Sequence, residues 1–84
     1  MYLEMFLTLR DGVDPAAIEA FFAGSELAFR EAKAGALLSG EADAFEAAVG
    51  EKIDRIEDQD AIVVPEKLSH IVKSIFIMPE VNYN

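Results

Sequence analysis

The chain has 84 residues, with sixteen Asp and Glu against seven Lys and Arg, a net charge of −9 and no cysteine. That length makes a single domain with a thin core, and the absence of thiols excludes disulfide staples, thiolate metal sites and cysteine nucleophiles. The charge argues against binding a nucleic-acid backbone or an anionic membrane surface, since both need clustered Lys and Arg.

Residues 2–10 alternate strictly. Leu3, Met5, Leu7 and Leu9 share one face, and Tyr2, Glu4, Phe6, Thr8 and Arg10 share the other. Period two over this length predicts a strand with one face on a core, and Tyr2 and Phe6 keep the other face from being fully polar. The opening Met-Tyr-Leu-Glu-Met-Phe carries no basic residue of the kind that begins a signal peptide. No apolar run reaches the roughly 20 residues that span a bilayer. The expected location is therefore cytoplasmic, with no membrane association. Asp11-Gly12 ends the strand with turn chemistry.

Asp14-Pro15 predicts a helix start, with a capping side chain followed by a residue suited to the first turn. Ile18, Phe21, Phe22, Ser25, Phe29 and Ala32 follow at helical spacing, and Glu26 with Arg30 is an i,i+4 pair. The expectation is one helix as far as Ala32, interrupted by Gly24-Ser25. Gly35 and Gly40 then bracket 36–39, read as a connection between helices, with a short extra strand as the alternative topology. A second helix is expected over 41–58, with Phe45, Val49, Ile53 and Ile56 as its buried stripe and Glu51 with Arg55 as a favourable pair. Gly50 within it costs about 1 kcal/mol relative to alanine.

The most apolar stretch is 61–81. Its β-branched and aromatic residues suit half-buried strands, expected over 61–64 and 69–78 with a corner at Pro65. A helix beginning at Pro65 also fits the spacing of Leu68, Ile71, Val72 and Ile75. The run Ile71, Val72, Ile75, Phe76, Ile77, whose side chains lose rotamer freedom in a helix, favours strand. The assembled expectation is one α+β domain over 1–84. It comprises a small antiparallel sheet in the order β-α-α-β-β, with two helices packed on one face.

Two clusters bear on function. Glu41, Asp43, Glu46, Glu51, Asp54, Glu57, Asp58 and Asp60 make the second helical region acidic, opposed only by Lys52 and Arg55. Asp54, Glu57 and Asp58 share one helical face, which reads first as a solvated surface open to a protein partner. A hard divalent cation is the alternative, although the pattern lacks the spacing of an EF-hand loop. Mimicry of phosphates by the aligned carboxylates is a third reading. His70 is the only histidine. Its neighbour Ser69 points to the opposite face of a strand, so the pair is no catalytic dyad. Catalysis would need a group brought from elsewhere, such as Glu4 or Thr8.

No phosphate-binding loop, nucleophile elbow or histidine-rich metal motif is present, and no cofactor or catalytic residue is assigned. Ile75, Phe76 and Ile77 are consecutive large apolar residues on a strand, so both sheet faces are apolar there, and two helices cover only one. Little chain remains after 78 to cover the other. The sequence therefore predicts a non-enzymatic, self-associating interaction protein whose homo-oligomer contact involves Phe6, Ile75, Phe76, Ile77 and Met78. The alternative is a small-ligand or divalent-metal protein, possibly an enzyme, with a pocket near His70 or at the oligomer interface.

Overall fold

The alternation of the first segment becomes the middle of a sheet. A computed structural model describes residues 2–33, 35–53 and 61–78. Strand β1 (Tyr2–Leu9) is flanked on one side by β3 (Gly35–Glu41) and beyond it by β2 (Ala28–Ala32). On the other side lie β5 (Val72–Ile77) and then β4 (Ala61–Ile62). All pairings are antiparallel, giving five strands in the order β2-β3-β1-β5-β4. Helix α1 (Ala16–Phe21) joins β1 to β2, and α2 (Ala42–Val49) follows β3 directly. The fold is α+β with a small antiparallel sheet. Its order is β-α-β-β-α-β-β rather than the expected β-α-α-β-β; β1-α1-β2 is a split β-α-β unit around β3, while α2 leads into β4, which runs antiparallel to β3.

Each difference has a local cause. The first helix ends after Phe21, not at Ala32. Ser25 folds back there: its hydroxyl donates to the Phe22 carbonyl at 2.6 Å, and its oxygen accepts the Leu27 N–H at 3.3 Å. Those bonds compete with continued helix. The following Ala28-Phe-Arg-Glu-Ala has helix-forming composition but pairs with β3, so tertiary pairing overrides propensity. Residues 35–41 are a full strand, close to the alternative topology and not a connection. The second helix stops at Val49 instead of running to 58, because Gly50 adopts a left-handed conformation (φ 74°, ψ 15°) and donates to the Glu46 carbonyl at 2.8 Å. Ile53 lies beyond the helix, and the expected positions Asp54, Arg55, Ile56, Glu57, Asp58 and Asp60 fall outside the described residues.

One start matches its sequence signal, and the strands expected over 61–64 and 69–78 are shorter, β4 ending at Ile62 and β5 starting at Val72. The Asp14 carboxylate accepts the Ala16 N–H at 2.9 Å, opening α1 one residue past Pro15. Pro65 closes the β4 segment and leads into a single 3₁₀ turn (Glu66–Leu68), after which β5 begins. The helical reading of this stretch is confined to that turn.

Cross-strand partners share a face, and the register assigns the faces throughout. Met5 pairs with Leu38 and with Ile77, and Leu7 pairs with Ala36 and with Ile75. Met5, Leu7, Ala36, Leu38 and Ile75, with Leu3, Val72 and Ile62, form one buried cluster with Ile18, Phe22, Phe45 and Val49 from the helical segments, and Ile77 packs against it. The Phe22 and Phe45 rings stack at 5.8 Å between centroids. The core therefore lies between the helices and the Leu3-Met5-Leu7 face. No helix among the described residues is long and apolar enough to cross a membrane.

Candidate functional site

The opposite face of the sheet is built from the other parity of each strand. Phe6 pairs with Leu37 on one side and Phe76 on the other, and Leu37 pairs in turn with Arg30. The row Arg30-Leu37-Phe6-Phe76 thus crosses four strands, and Ala61 on β4 pairs with Phe76 to complete it. The neighbouring row is polar, with Glu4 pairing with Ser39 and Ser39 with Ala28. Phe76 is 45% exposed, Met78 42% and Tyr2 61%, while Phe6 and Leu37 are half-buried by their neighbours. The face is open over β1, β2 and β5, where Glu4, Arg30 and Phe76 are exposed, and closed at the β4 edge, where Ala61 is buried.

The expected contact residues therefore separate. Phe6, Phe76 and Met78 lie on the open face. Ile75 is fully buried and Ile77 packs against the core cluster. The period of a strand sends every second residue of an apolar run inward, so Ile75 belongs to the core and Ile77 is part-buried against it.

One cleft indents the open face. Glu4, Ala28, Arg30, Leu37, Ser39 and Met78 line it, and its volume is about 290 Å³. Met78 closes its end because the Met78 N–H donates to the Glu4 carbonyl at 2.7 Å, carrying the chain past β5 alongside β1. Leu37 and Met78 supply an apolar floor, with the Glu4 carboxylate and the Arg30 guanidinium on opposite sides. Neither side chain makes a hydrogen bond or ion pair among the described residues. Sequence reasoning missed Arg30, Leu37 and Ser39, since 28–32 read as helix and 36–39 as a connection. The signal available was the alternation of Ala36 and Leu38 with Leu37 and Ser39 between two glycines.

Among the described residues, the Ser69 hydroxyl is the one side-chain partner at His70. His70 is exposed, in the turn before β5. The Ser69 hydroxyl donates to the Glu66 carbonyl at 2.7 Å and lies 3.4 Å from His70 Nδ1. With its one proton committed to that carbonyl, Ser69 is not activated by the imidazole. Arg10 Nε donates to the Ser69 carbonyl at 2.6 Å, which ties this turn to the end of β1. Glu4 lies six residues back along the same chain, about 20 Å away at strand rise, and His70 does not line the cleft.

Two of the described residues of the acidic cluster hold backbone in place. Glu46 Oε2 accepts the Ile53 N–H at 2.8 Å, and Glu51 Oε2 accepts the Glu66 N–H at 2.9 Å. Among the described residues, no group of three or more His, Asp or Glu is placed to hold a metal ion. Asp54, Glu57 and Asp58 lie outside those residues. The charge of −9 makes self-repulsion the dominant long-range term, so added monovalent salt is expected to raise the melting temperature. Millimolar Ca²⁺ or Mg²⁺ at matched ionic strength is expected to leave it unchanged. A stabilisation of several degrees at micromolar divalent ion, read by thermal melting, would instead establish a metal site.

Comparison with protein-family models, with curated proteins and with solved structures finds no match.

Proposed function

We propose that this is a non-enzymatic interaction protein that self-associates through the open face of its sheet and turns an acidic surface towards a protein partner. The observation that carries the reading is the row Leu37-Phe6-Phe76, apolar across the three middle strands, with Phe76 45% exposed and Phe6 and Leu37 part-exposed. Water against such a face is unfavourable by about 25 cal/mol per Å² of apolar area, which burial against a second copy recovers before association costs. Asp43 on α2, with Glu51 and Glu66 beyond it, is exposed on other parts of the fold and stays available to a partner.

A small-ligand reading draws on the same face. The cleft sets Glu4, Arg30 and Ser39 around an apolar floor, and a second copy over it would complete an enclosure. It ranks second because 290 Å³ lies just below the usual range of ligand pockets.

The test is the solution mass. Light scattering at micromolar concentration is expected to give two chains or more for the unmodified protein. Phe76→Glu, which sets a charge in the apolar row, is expected to shift the mass towards one chain with the fold retained by circular dichroism. A single-chain mass for the unmodified protein sinks the reading. A folded Phe76→Glu variant that keeps its oligomeric mass moves the contact to another surface.

A further inference from the structure

The open face differs in charge from the rest of the chain. The protein carries −9, yet this face holds the carboxylate Glu4 on the central strand and the guanidinium Arg30 on the edge strand β2, both exposed and neither paired among the described residues, with Glu41 one row beyond Glu4. They stand on opposite sides of the cleft, two strands and two residues apart in register: Glu4 lies opposite Ser39, and Arg30 lies opposite Leu37. At about 4.8 Å between strands and about 3.4 Å per residue, that offset is roughly 12 Å. The same spacings give the four longer strands a face on the order of 400 Å² in projection. Doubled over two copies, it comes to roughly 800 Å², below the range of stable specific interfaces and in the class of weak association, where charge placement decides register.

The geometry points to a second copy of this chain as the occupant, seated about a two-fold axis between the two sheets so that Glu4 of each copy meets the partner's Arg30. This deepens the reading of the open face as the self-association surface and rests on it. A two-fold interface is self-complementary, so one such contact implies the other. Two simpler axes fail on charge. An axis along β1 stacks Glu4 on the partner's Glu4, and an axis along the row Arg30-Leu37-Phe6 stacks Arg30 on the partner's Arg30. The oblique axis that bisects the offset between Glu4 and Arg30 passes over β3 at 37–39 and between Leu37 and Phe6. It lays each Phe6 ring on the partner's Leu37 and closes the two clefts against each other. The strands of the two sheets then cross steeply, towards the orthogonal class of sheet packing.

The test uses Glu4→Arg and Arg30→Glu as separate proteins. Each alone sets like charges together at both ends of the contact, and its dissociation constant is expected to rise at least about tenfold. An equimolar mixture of the two is expected to recover the unmodified affinity by forming the mixed dimer. There the introduced arginine faces the introduced glutamate, and native Glu4 faces native Arg30. A pair formed within one chain would not be rescued by mixing. Sedimentation of each protein and of the mixture reads this out, with circular dichroism as the check on folding. Should either charge reversal unfold, Glu4→Gln and Arg30→Gln replace them, each expected to weaken association several-fold. Folded variants that keep the unmodified dissociation constant, or a mixture that stays monomeric, overturn the pairing. An unmodified protein that is dimeric and dissociated by Phe76→Glu would then still associate through this face in another register. A monomeric unmodified protein removes both.

Discussion

Phe45→Ala is expected to lower the folding stability by about 3–5 kcal/mol, the range for deleting a large buried aromatic side chain. An 84-residue domain has about 4–13 kcal/mol in total at typical values per residue, so the variant stands at or near the threshold of folding. Phe45 is fully buried and is the only aromatic residue of α2. Its ring stacks on Phe22, which meets Phe21 edge-on at 4.9 Å between centroids. Truncation therefore opens a cavity and also separates α2 from the end of α1, the contact through which the two helical segments meet over the sheet. Phe45→Leu keeps most of the volume and is expected to cost less, because the core loses the ring stacking and only a small part of its filling. Urea unfolding of the three proteins gives the comparison. Equal midpoints for Phe45→Ala and the unmodified chain would mean that α2 contributes nothing to the core.

The sequence showed most clearly what depends on one strand alone. β1 was legible because eight residues alternate without a break. The strand character of 72–77 was legible because β-branched and aromatic side chains fill it. What depended on pairing was hidden. Ala28-Phe-Arg-Glu-Ala becomes a strand only because β3 presents an edge to it, and nothing local distinguishes it from the end of a helix. β3 was obscured by adjacent Leu37 and Leu38, one facing each side of the sheet. The end of α2 turned on whether Gly50 would be tolerated inside a helix or used in a left-handed cap; the structure uses it as the cap.

The open face followed the same division. The strand parity of Phe6 and Phe76 places both opposite the core residues. Ile75 and Ile77 were assigned to the surface because three consecutive apolar residues were counted together, and strand geometry separates them. Arg30 was out of reach. A residue expected on a helix flank, beside Glu26, stands instead at the edge of a sheet, across a cleft from Glu4.

Gly35→Val is the other substitution with a large expected effect, and it acts through the backbone. A Cβ at position 35 would meet the Leu7 carbonyl oxygen at less than any real contact distance, and the Phe6 Cζ at 2.9 Å. The ring of Phe6 can rotate away, but the Leu7 carbonyl belongs to the central strand and cannot. Gly35 pairs with Thr8 on β1 and with Ala32 on β2, so a side chain there forces β1 and β3 apart at the middle of the sheet. Overpacking of a well-packed site costs about 1–3 kcal/mol and occasionally more, and a backbone collision belongs at the upper end. Valine is used in place of alanine because its branched side chain also displaces Phe6 from the space over Gly35, so the open face changes with the fold. Two losses are therefore expected together, about 3 kcal/mol of folding stability by urea titration and a weaker self-association by sedimentation. A Gly12→Val variant controls for the general cost of replacing a glycine. Gly12 has a positive φ of 81° and no atom within 4 Å of a built Cβ, so it carries backbone strain without collision and without any effect on Phe6. If Gly35→Val unfolds at the same urea concentration as the unmodified chain, the close approach of β1 and β3 at Gly35 is wrong. If it is destabilised but associates as before, the position of Phe6 does not govern the contact.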